Sequence, residues 1–312
     1  MKRLLAFLLG FSAATPGLAQ DPVSLFSDWA QDSGADATAM QVLTDGVPSH
    51  GLDADRPMDL ASNSKAITAL CVLSLVDEGR LDWDTTLADA LHRAAPPATV
   101  SELVTHTSGI GRDSTQLRMG FWLNEAQPRH VHVTDIVLNR SRQRGTRGAF
   151  SYNNENYALL GRIIEVTTGQ SYVDACQARV LDPAGVSATL SPRFGAYAAW
   201  GGWRMSMADH ARLLWYWFGP QGRVGRDPLA LPRAERAQDS YYGLGMNFEV
   251  REEGVRMSHA GAISIPFGPK TGAYAVLYPF GAVSAMGYDV AVADPARFYA
   301  LSERLEQVLR DL

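Results

Sequence analysis

The sequence predicts an α+β fold: an antiparallel sheet assembled from N- and C-terminal segments, flanked by helices, beside a mainly helical lobe. Three observations carry this. Strand-like runs sit at both ends of the chain, Ala39 to Ser49 near the start and Met246 to Met257, Ala273 to Tyr278 and Val283 to Val290 near the end. Between them, from Thr99 to Gly185, the pattern is mostly helical with polar loops, and no internal repeat or low-complexity tract interrupts it. The composition, 46% hydrophobic and 20% charged over 312 residues, excludes collagen-like, coiled-coil and wholly disordered chains.

Taken in order, Lys2 and Arg3 precede an apolar run from Leu4 to Phe11, and Gly17-Leu18-Ala19 offers small residues for cleavage. Residues 1–19 therefore read as a secretory signal peptide, too short for a membrane anchor. One domain over residues 20–312 follows, with an α/β lobe of about 20–60 and 240–312 and a helical lobe of about 61–239. Gln20, not a cysteine, follows the cleavage site and gives no lipid attachment point there. Losing Lys2 and Arg3 moves the formal net charge from −5 to −7, and no later stretch reaches the roughly 18 apolar residues of a membrane span. An acidic chain without a basic patch is a poor partner for nucleic acid or anionic lipid. The expected location is periplasmic or secreted.

The remaining elements follow from local pattern. A helix is expected over Val23 to Gln31, then a hairpin turning at Asp45-Gly46. Ser62 to Glu78 is apolar nearly all round, which predicts a buried central helix closed by Gly79. Arg140 to Arg147 reads as a loop, Met207 to Phe218 as an apolar helix, and Gly219 to Arg236 as a Gly/Pro/Arg connection. The last two strands join across Pro279-Phe280-Gly281. Asp294-Pro295 then opens an amphipathic helix with Phe298, Leu301, Leu305 and Val308 on one stripe. Cys71 and Cys176 are read as two core thiols.

Lysine usage singles out chemistry. Of 28 basic residues only Lys2, Lys65 and Lys270 are lysines, and a buried lysine, unlike arginine, can shift toward neutrality and act as a base. Ser62-Asn63-Ser64-Lys65 opens the buried helix, so a spacing of three brings the amine to the Ser62 hydroxyl near unpaired helix N–H groups. Ser151-Tyr152-Asn153-Asn154 puts a tyrosine in a polar loop ahead of an apolar helix, as a capping residue or a proton carrier. His259-Ala260-Gly261 follows Tyr242-Gly243-Leu244-Gly245 and one strand, a small-residue edge against which a substrate can lie.

Ser62-x-x-Lys65, Tyr152-x-Asn154 and His259-x-Gly261, in that order, resemble the serine β-lactamase superfamily, most closely its class C β-lactamase-like branch of esterases, D-aminopeptidases and DD-peptidases. Leu103 to Gly109, Tyr157 to Glu165, Gly201-Gly202-Trp203 and Tyr242 to Gly245 add to the likeness, which runs from the Ala39 hairpin to the C-terminal helix. The resemblance implies a β-lactamase/transpeptidase-like fold without cofactor or metal. It implies a small ester, amide or peptide substrate acylating Ser62, with Lys65 and Tyr152 moving the protons. Asn154 would bind the acyl side chain, and the backbone N–H groups of Ser62 and Ala262 would form the oxyanion hole. A DD-peptidase or β-lactamase is the alternative activity. A non-catalytic scaffold is disfavoured by the presence of Ser62, Lys65 and Tyr152 together.

His259 is the main departure, standing where β-lactamases carry the lysine of Lys-Thr-Gly. Lys270-Thr271-Gly272 also occurs, but it lies only nine residues before Pro279, against twenty for His259, too few for the family spacing. His259 is therefore taken as the motif residue and Lys270 as a loop residue after Pro269. A histidine there is expected to lack a permanent charge near neutral pH, to favour uncharged esters, and to gain anion affinity as it protonates toward pH 6. The resemblance makes His106 a loop-organising residue. His130 and His132 would share one face of a strand, without a third metal ligand in sequence. Trp200, Trp203, Trp215 and Trp217 are assigned to the core, with a place for one or two of them in the wall of the acyl pocket left open, and Met119 to Leu123 to an apolar wall of the cleft.

Overall fold

The computed structural model describes residues 21–140, 143, 145–290, 292 and 295–311. The expected signal peptide and Asp294 lie outside the described residues, as do positions 141, 142 and 144 of the Arg140–Arg147 loop. The helices are α1 (Pro22–Ser33), α2 (Ser64–Asp77), α3 (Leu87–Leu91), α4 (Val100–Val104), α5 (His130–Leu138), α6 (Asn154–Thr168), α7 (Tyr172–Cys176), α8 (Ala198–Gly201), α9 (Met207–Phe218) and α10 (Pro295–Arg310). The strands are β1 (Thr38–Thr44), β2 (Val47–Leu52), β3 (Pro57–Asp59), β4 (Ala188–Leu190), β5 (Trp203–Ser206), β6 (Ala234–Ala237), β7 (Ser240–Gly243), β8 (Met246–Arg251), β9 (Gly254–Ser264), β10 (Lys270–Leu277) and β11 (Ala282–Tyr288).

An eight-stranded antiparallel sheet runs β2-β1-β11-β10-β9-β8-β7-β6, so strands from the two chain ends meet where β1 pairs with β11. Because β1 buries Ala39 and Leu43 on one face and Met40 and Val42 on the other, the sheet is covered on both sides. α1 and α10 cover one face, with Trp29, Leu301, Leu305 and Leu309 in the contact. The other face meets the helical part through α2, whose buried residues include Ile67, Leu70, Cys71, Leu73 and Leu75. Each large aliphatic side chain sunk there contributes about 1.5–3 kcal/mol. Cys71 and Cys176 are both free and buried. Among the described residues no helix is long and apolar enough to cross a membrane.

Several expectations need correction. The run Met246 to Met257 is a hairpin, β8 to β9, because two acidic residues and Gly254, at φ +139°, make a turn that a continuous strand cannot contain. The Gly219–Arg236 connection ends in a strand, β6, at the sheet edge. Lys270 is not in a loop: it is the exposed first residue of β10, opposite Ser264. His130 and His132 lie on helix α5, not a strand, since His130, Val133, Thr134 and Val137 share the buried stripe and His132 points outward. The α-helix that carries Lys65 starts at Ser64, preceded by a 3-10 turn over Ala61–Asn63 that holds Ser62.

Candidate active site

Ser62 leaves β3 through a tight turn. Ala61, at φ +46°, occupies the left-handed region, which costs a non-glycine residue about 1–3 kcal/mol and persists only where the surroundings impose it. The 3-10 turn then delivers the Ser62 hydroxyl to the mouth of α2. Three residues on, the Lys65 Nζ donates to Ser62 Oγ at 3.1 Å and to the Trp200 carbonyl at 2.8 Å, and lies 4.8 Å from the Tyr152 ring centre. No part of Lys65 reaches solvent. Burial lowers its pKa to about 7, and the Asp113 carboxylate partly opposes this. An amine in that range is a proton acceptor at neutral pH.

Tyr152 closes the other side of Ser62. The residue is 42% exposed and lines the cleft, and its hydroxyl is hydrogen-bonded to Ser62. Burial pushes the phenol above its usual range, and the Ser62 bond offsets only part of that. Beneath it, His106 packs at 4.5 Å from the Tyr152 ring and accepts at Nδ1 from the Asn153 N–H (3.3 Å) and Asn156 Nδ2 (3.0 Å). His106 thus ties the loop after α4 to the start of α6. Asn154 is buried at the first turn of α6, its Nδ2 donating to Thr115 Oγ1 at 3.0 Å and its N–H to Asp113 Oδ2 at 3.1 Å.

The third wall is β9. Gly261 stands so close to the serine turn that a Cβ there would lie 2.7 Å from the Ser62 amide nitrogen. Gly245, at φ +78°, approaches α2 as tightly, where a Cβ would meet the Ala66 nitrogen at 2.4 Å. The Gly245 carbonyl accepts from His259 Nδ1–H at 2.5 Å, which fixes the tautomer and leaves Nε2 without a proton. Burial, then Lys65, lower the His259 pKa to about 3. The imidazole is therefore neutral at pH 6 as well as at pH 7, which overturns the expected gain in anion affinity through protonation.

Ser62, Tyr152, Asn154, His259 and Ala262 line one cleft of about 520 Å³, together with Gln116, Met119, Phe150, Trp200, Arg236, Tyr242, Asn247, Ile263 and Ile265. Lys270 is not among its lining residues. Arg236, on β6, was missed because its segment reads as an irregular connection. It stacks on Phe150 at 5.3 Å and donates to Asn247 Oδ1, and no carboxylate lies within ion-pair distance among the described residues. Asp113 was also missed, for a loop aspartate carries no signal until Asn154 and Thr115 are seen to donate to it.

A serine beside a buried, nearly neutral lysine at the junction of an antiparallel sheet and a helical layer defines a serine hydrolase of β-lactamase type. The family model described as Beta-lactamase matches residues 30–281, and the chain belongs to that family. Over 161 residues it is 34% identical to Penicillin-binding protein 4 of Amycolatopsis lactamdurans, a match covering 49% of this chain and only 38% of that protein's length. The fold is similar to that of the D-amino acid amidase from Ochrobactrum anthropi SV3, with a TM-score of 0.73 and 18% identity, over 95% of this chain and 100% of that one. A D-stereospecific amidohydrolase from Streptomyces sp. gives a TM-score of 0.73 and 18% identity, over 89% and 97%. At such identities the structural likeness is one of fold.

Proposed function

We propose that the chain is an exported serine hydrolase that cleaves small esters or amides through a covalent acyl-Ser62 intermediate. The observation that carries this reading is the 3.1 Å bond between Ser62 Oγ and an amine lowered to about pH 7 by burial. Ser62 Oγ attacks the carbonyl carbon, and its proton passes to neutral Lys65. The backbone N–H groups of Ser62 and Ala262 receive the oxyanion. The C–O or C–N bond then breaks, the leaving atom taking a proton relayed through the Tyr152 hydroxyl. Water repeats the sequence in reverse on the acyl-enzyme, ending with free acid and the starting protonation state. Lys65 is the base in this scheme, because burial drives the Tyr152 phenol toward its neutral form. Asn154 contacts the acyl side. The similarity to an amidase and an amidohydrolase supports amides beside esters, and the apolar leader over residues 1–19 supports export.

The test is a fluorophosphonate label followed by intact-mass measurement and peptide mapping. The adduct is expected on Ser62, abolished in Ser62→Ala and largely retained in Ser64→Ala, whose hydroxyl instead accepts from the Trp203 N–H at 3.1 Å. An adduct on Ser64, or full labelling of Ser62→Ala, refutes the reading.

A further inference from the structure

The most exposed large apolar side chains gather beside the mouth of the cleft. Among the described residues Phe267, Phe121 and Leu117 are 112%, 83% and 73% exposed, more than any other large hydrophobic. They stand on two loops, residues 114–123 and 264–270, which touch: a Cβ on Gly120 would come within 3.9 Å of Ile265 Cγ2. Met119, Ile265 and Pro266 of these loops line the cleft, as does the exposed Tyr299. The turn that carries Phe267 is rigid. The Ile265 N–H donates to the Pro269 carbonyl at 3.2 Å and the Gly268 N–H to the Ile265 carbonyl at 2.9 Å, while Pro266 and Pro269 fix their own φ. Phe267 is held at φ +57°, a conformation that strains a bulky residue. No burial within the chain offsets that strain, because the ring lies wholly in solvent. The charge of these loops also departs from that of the chain. Residues 114–123 and 264–272 contain Arg118 and Lys270 and no acid, in a chain whose formal net charge is −5. Neither cation has a carboxylate within ion-pair distance among the described residues. The acids flanking the first loop are engaged: Asp113 accepts from the Thr115 N–H (2.9 Å) and the Asn154 N–H (3.1 Å), and Glu125 pairs with Arg129 at 2.5 Å.

Aromatic rings in solvent, accompanied only by cations, match a lipid–water interface, where rings sink to the level of the headgroups and cations meet lipid phosphate. Phe121 and Phe267 protrude from separate loops instead of lining one flat face. A fluid lipid layer accepts that shape, whereas a close-packed protein partner must match it ring by ring. We propose that this rim seats the protein on an anionic lipid surface, with the mouth of the cleft toward the membrane. Leu117, Phe121 and Phe267 enter among the headgroups, and Arg118 and Lys270 pair with lipid phosphate. The inference goes beyond the acyl-Ser62 reading and does not depend on it, since binding is measured without turnover. It revises the expectation that an acidic chain is a poor partner for anionic lipid. Net charge sums the whole surface, but screening limits the attraction to charges within about 8–10 Å of the lipid. It also gives Lys270, which stands outside the cleft lining, a role. A rim of this size gives reversible attachment, not permanent anchoring.

Vesicles of mixed phosphatidylethanolamine and phosphatidylglycerol, and of phosphatidylcholine alone, test it. The full chain is used throughout, so that residues 1–19 contribute equally to every variant. In co-sedimentation with the anionic vesicles the partition coefficient is expected to fall about tenfold in Phe267→Ser and about tenfold in Phe121→Ser, as one aromatic side chain is lost from the interface. Lys270→Ala is expected to lower it about fivefold on anionic vesicles and to leave phosphatidylcholine binding unchanged. Phe267→Cys carrying an NBD fluorophore locates the contact, because Cys71 and Cys176 are buried and stay unlabelled. Doxyl-labelled lipid should quench that probe and spare the same probe on Val47→Cys, an exposed position on the edge strand β2. Three results each overturn the proposal: no co-sedimentation of the wild type with anionic vesicles, a partition coefficient unchanged in both phenylalanine variants, or equal quenching of the two probes. A concentration-dependent dimer in sedimentation equilibrium that Phe267→Ser dissociates overturns it as well, by assigning the rim to a second copy of the chain.

Discussion

Replacing Lys65 by methionine should make the protein more stable while removing its acylation chemistry. The amine has an ordinary pKa of 10.5 and one of about 7 in the fold, with no exposed surface. At pH 7 the unfolded chain holds the proton firmly while the folded protein holds it half the time, which opposes folding by about 4 kcal/mol. Because the folded value lies below the unfolded one, this destabilisation is full below pH 7, fades between 7 and 10.5, and vanishes above. Methionine matches the length and loses two hydrogen bonds, to Ser62 and to the Trp200 carbonyl, which takes back about 1–3 kcal/mol. A net gain of about 2 kcal/mol corresponds to a rise in Tm of roughly 3 °C for a chain of this size. Calorimetry of wild type and Lys65→Met at pH 6, 8 and 10 reads it. A gap that shrinks toward pH 10 supports the reasoning; a less stable variant, or a gap indifferent to pH, refutes it.

The same amine should shape the rate. The kcat/KM for a neutral ester is expected to rise through pH 7 as Lys65 loses its proton, because kcat/KM reports groups of the free enzyme and His106 and His259 are both neutral there. An inflection below pH 5, or a flat profile from 5 to 9, would place the base elsewhere. Gly261→Ala should lower kcat/KM about a hundredfold, since its Cβ would stand 2.7 Å from the Ser62 nitrogen and push the oxyanion site apart. Circular dichroism should stay native; an active Gly261→Ala enzyme would mean that β9 does not border the reacting carbonyl.

The pattern of the chain made much of this legible, and the misses share a cause. α9 can be read from its apolar run with bounds Met207–Phe218, and α2 from its all-round hydrophobicity, because burial writes itself into local sequence. The pairing of β1 with β11 is suggested only by strands lying at both ends, since register is a long-range matter. His130 misled because an alternation of three residues fits a strand as well as a helix, and the deciding residues, Val133 and Val137, lie beyond it. Ser62, Lys65 and Tyr152 stand out by type and spacing. Arg236 and Asp113 do not, because an arginine in a polar connection and an aspartate in a loop acquire meaning only from what folds against them.

The electrostatics of the site explain why its permanent cation sits at the rim. Inside, the two histidines and the tyrosine around Lys65 are held neutral: burial and the amine itself lower both His106 and His259, and burial raises Tyr152. A lysine in place of His259 would set a second cation in the same dry pocket, and each would disfavour charge on the other. Keeping an imidazole there, its Nδ1–H tied to Gly245, leaves Lys65 to be tuned by burial against the single carboxylate of Asp113. Arg236 stays exposed at the cleft edge and braces on Phe150. Moving a charge inward, in His259→Lys, should disfavour the protonated form of Lys65. It should also shift the kcat/KM inflection to a lower pH. An unshifted inflection would show that Lys65 does not feel position 259.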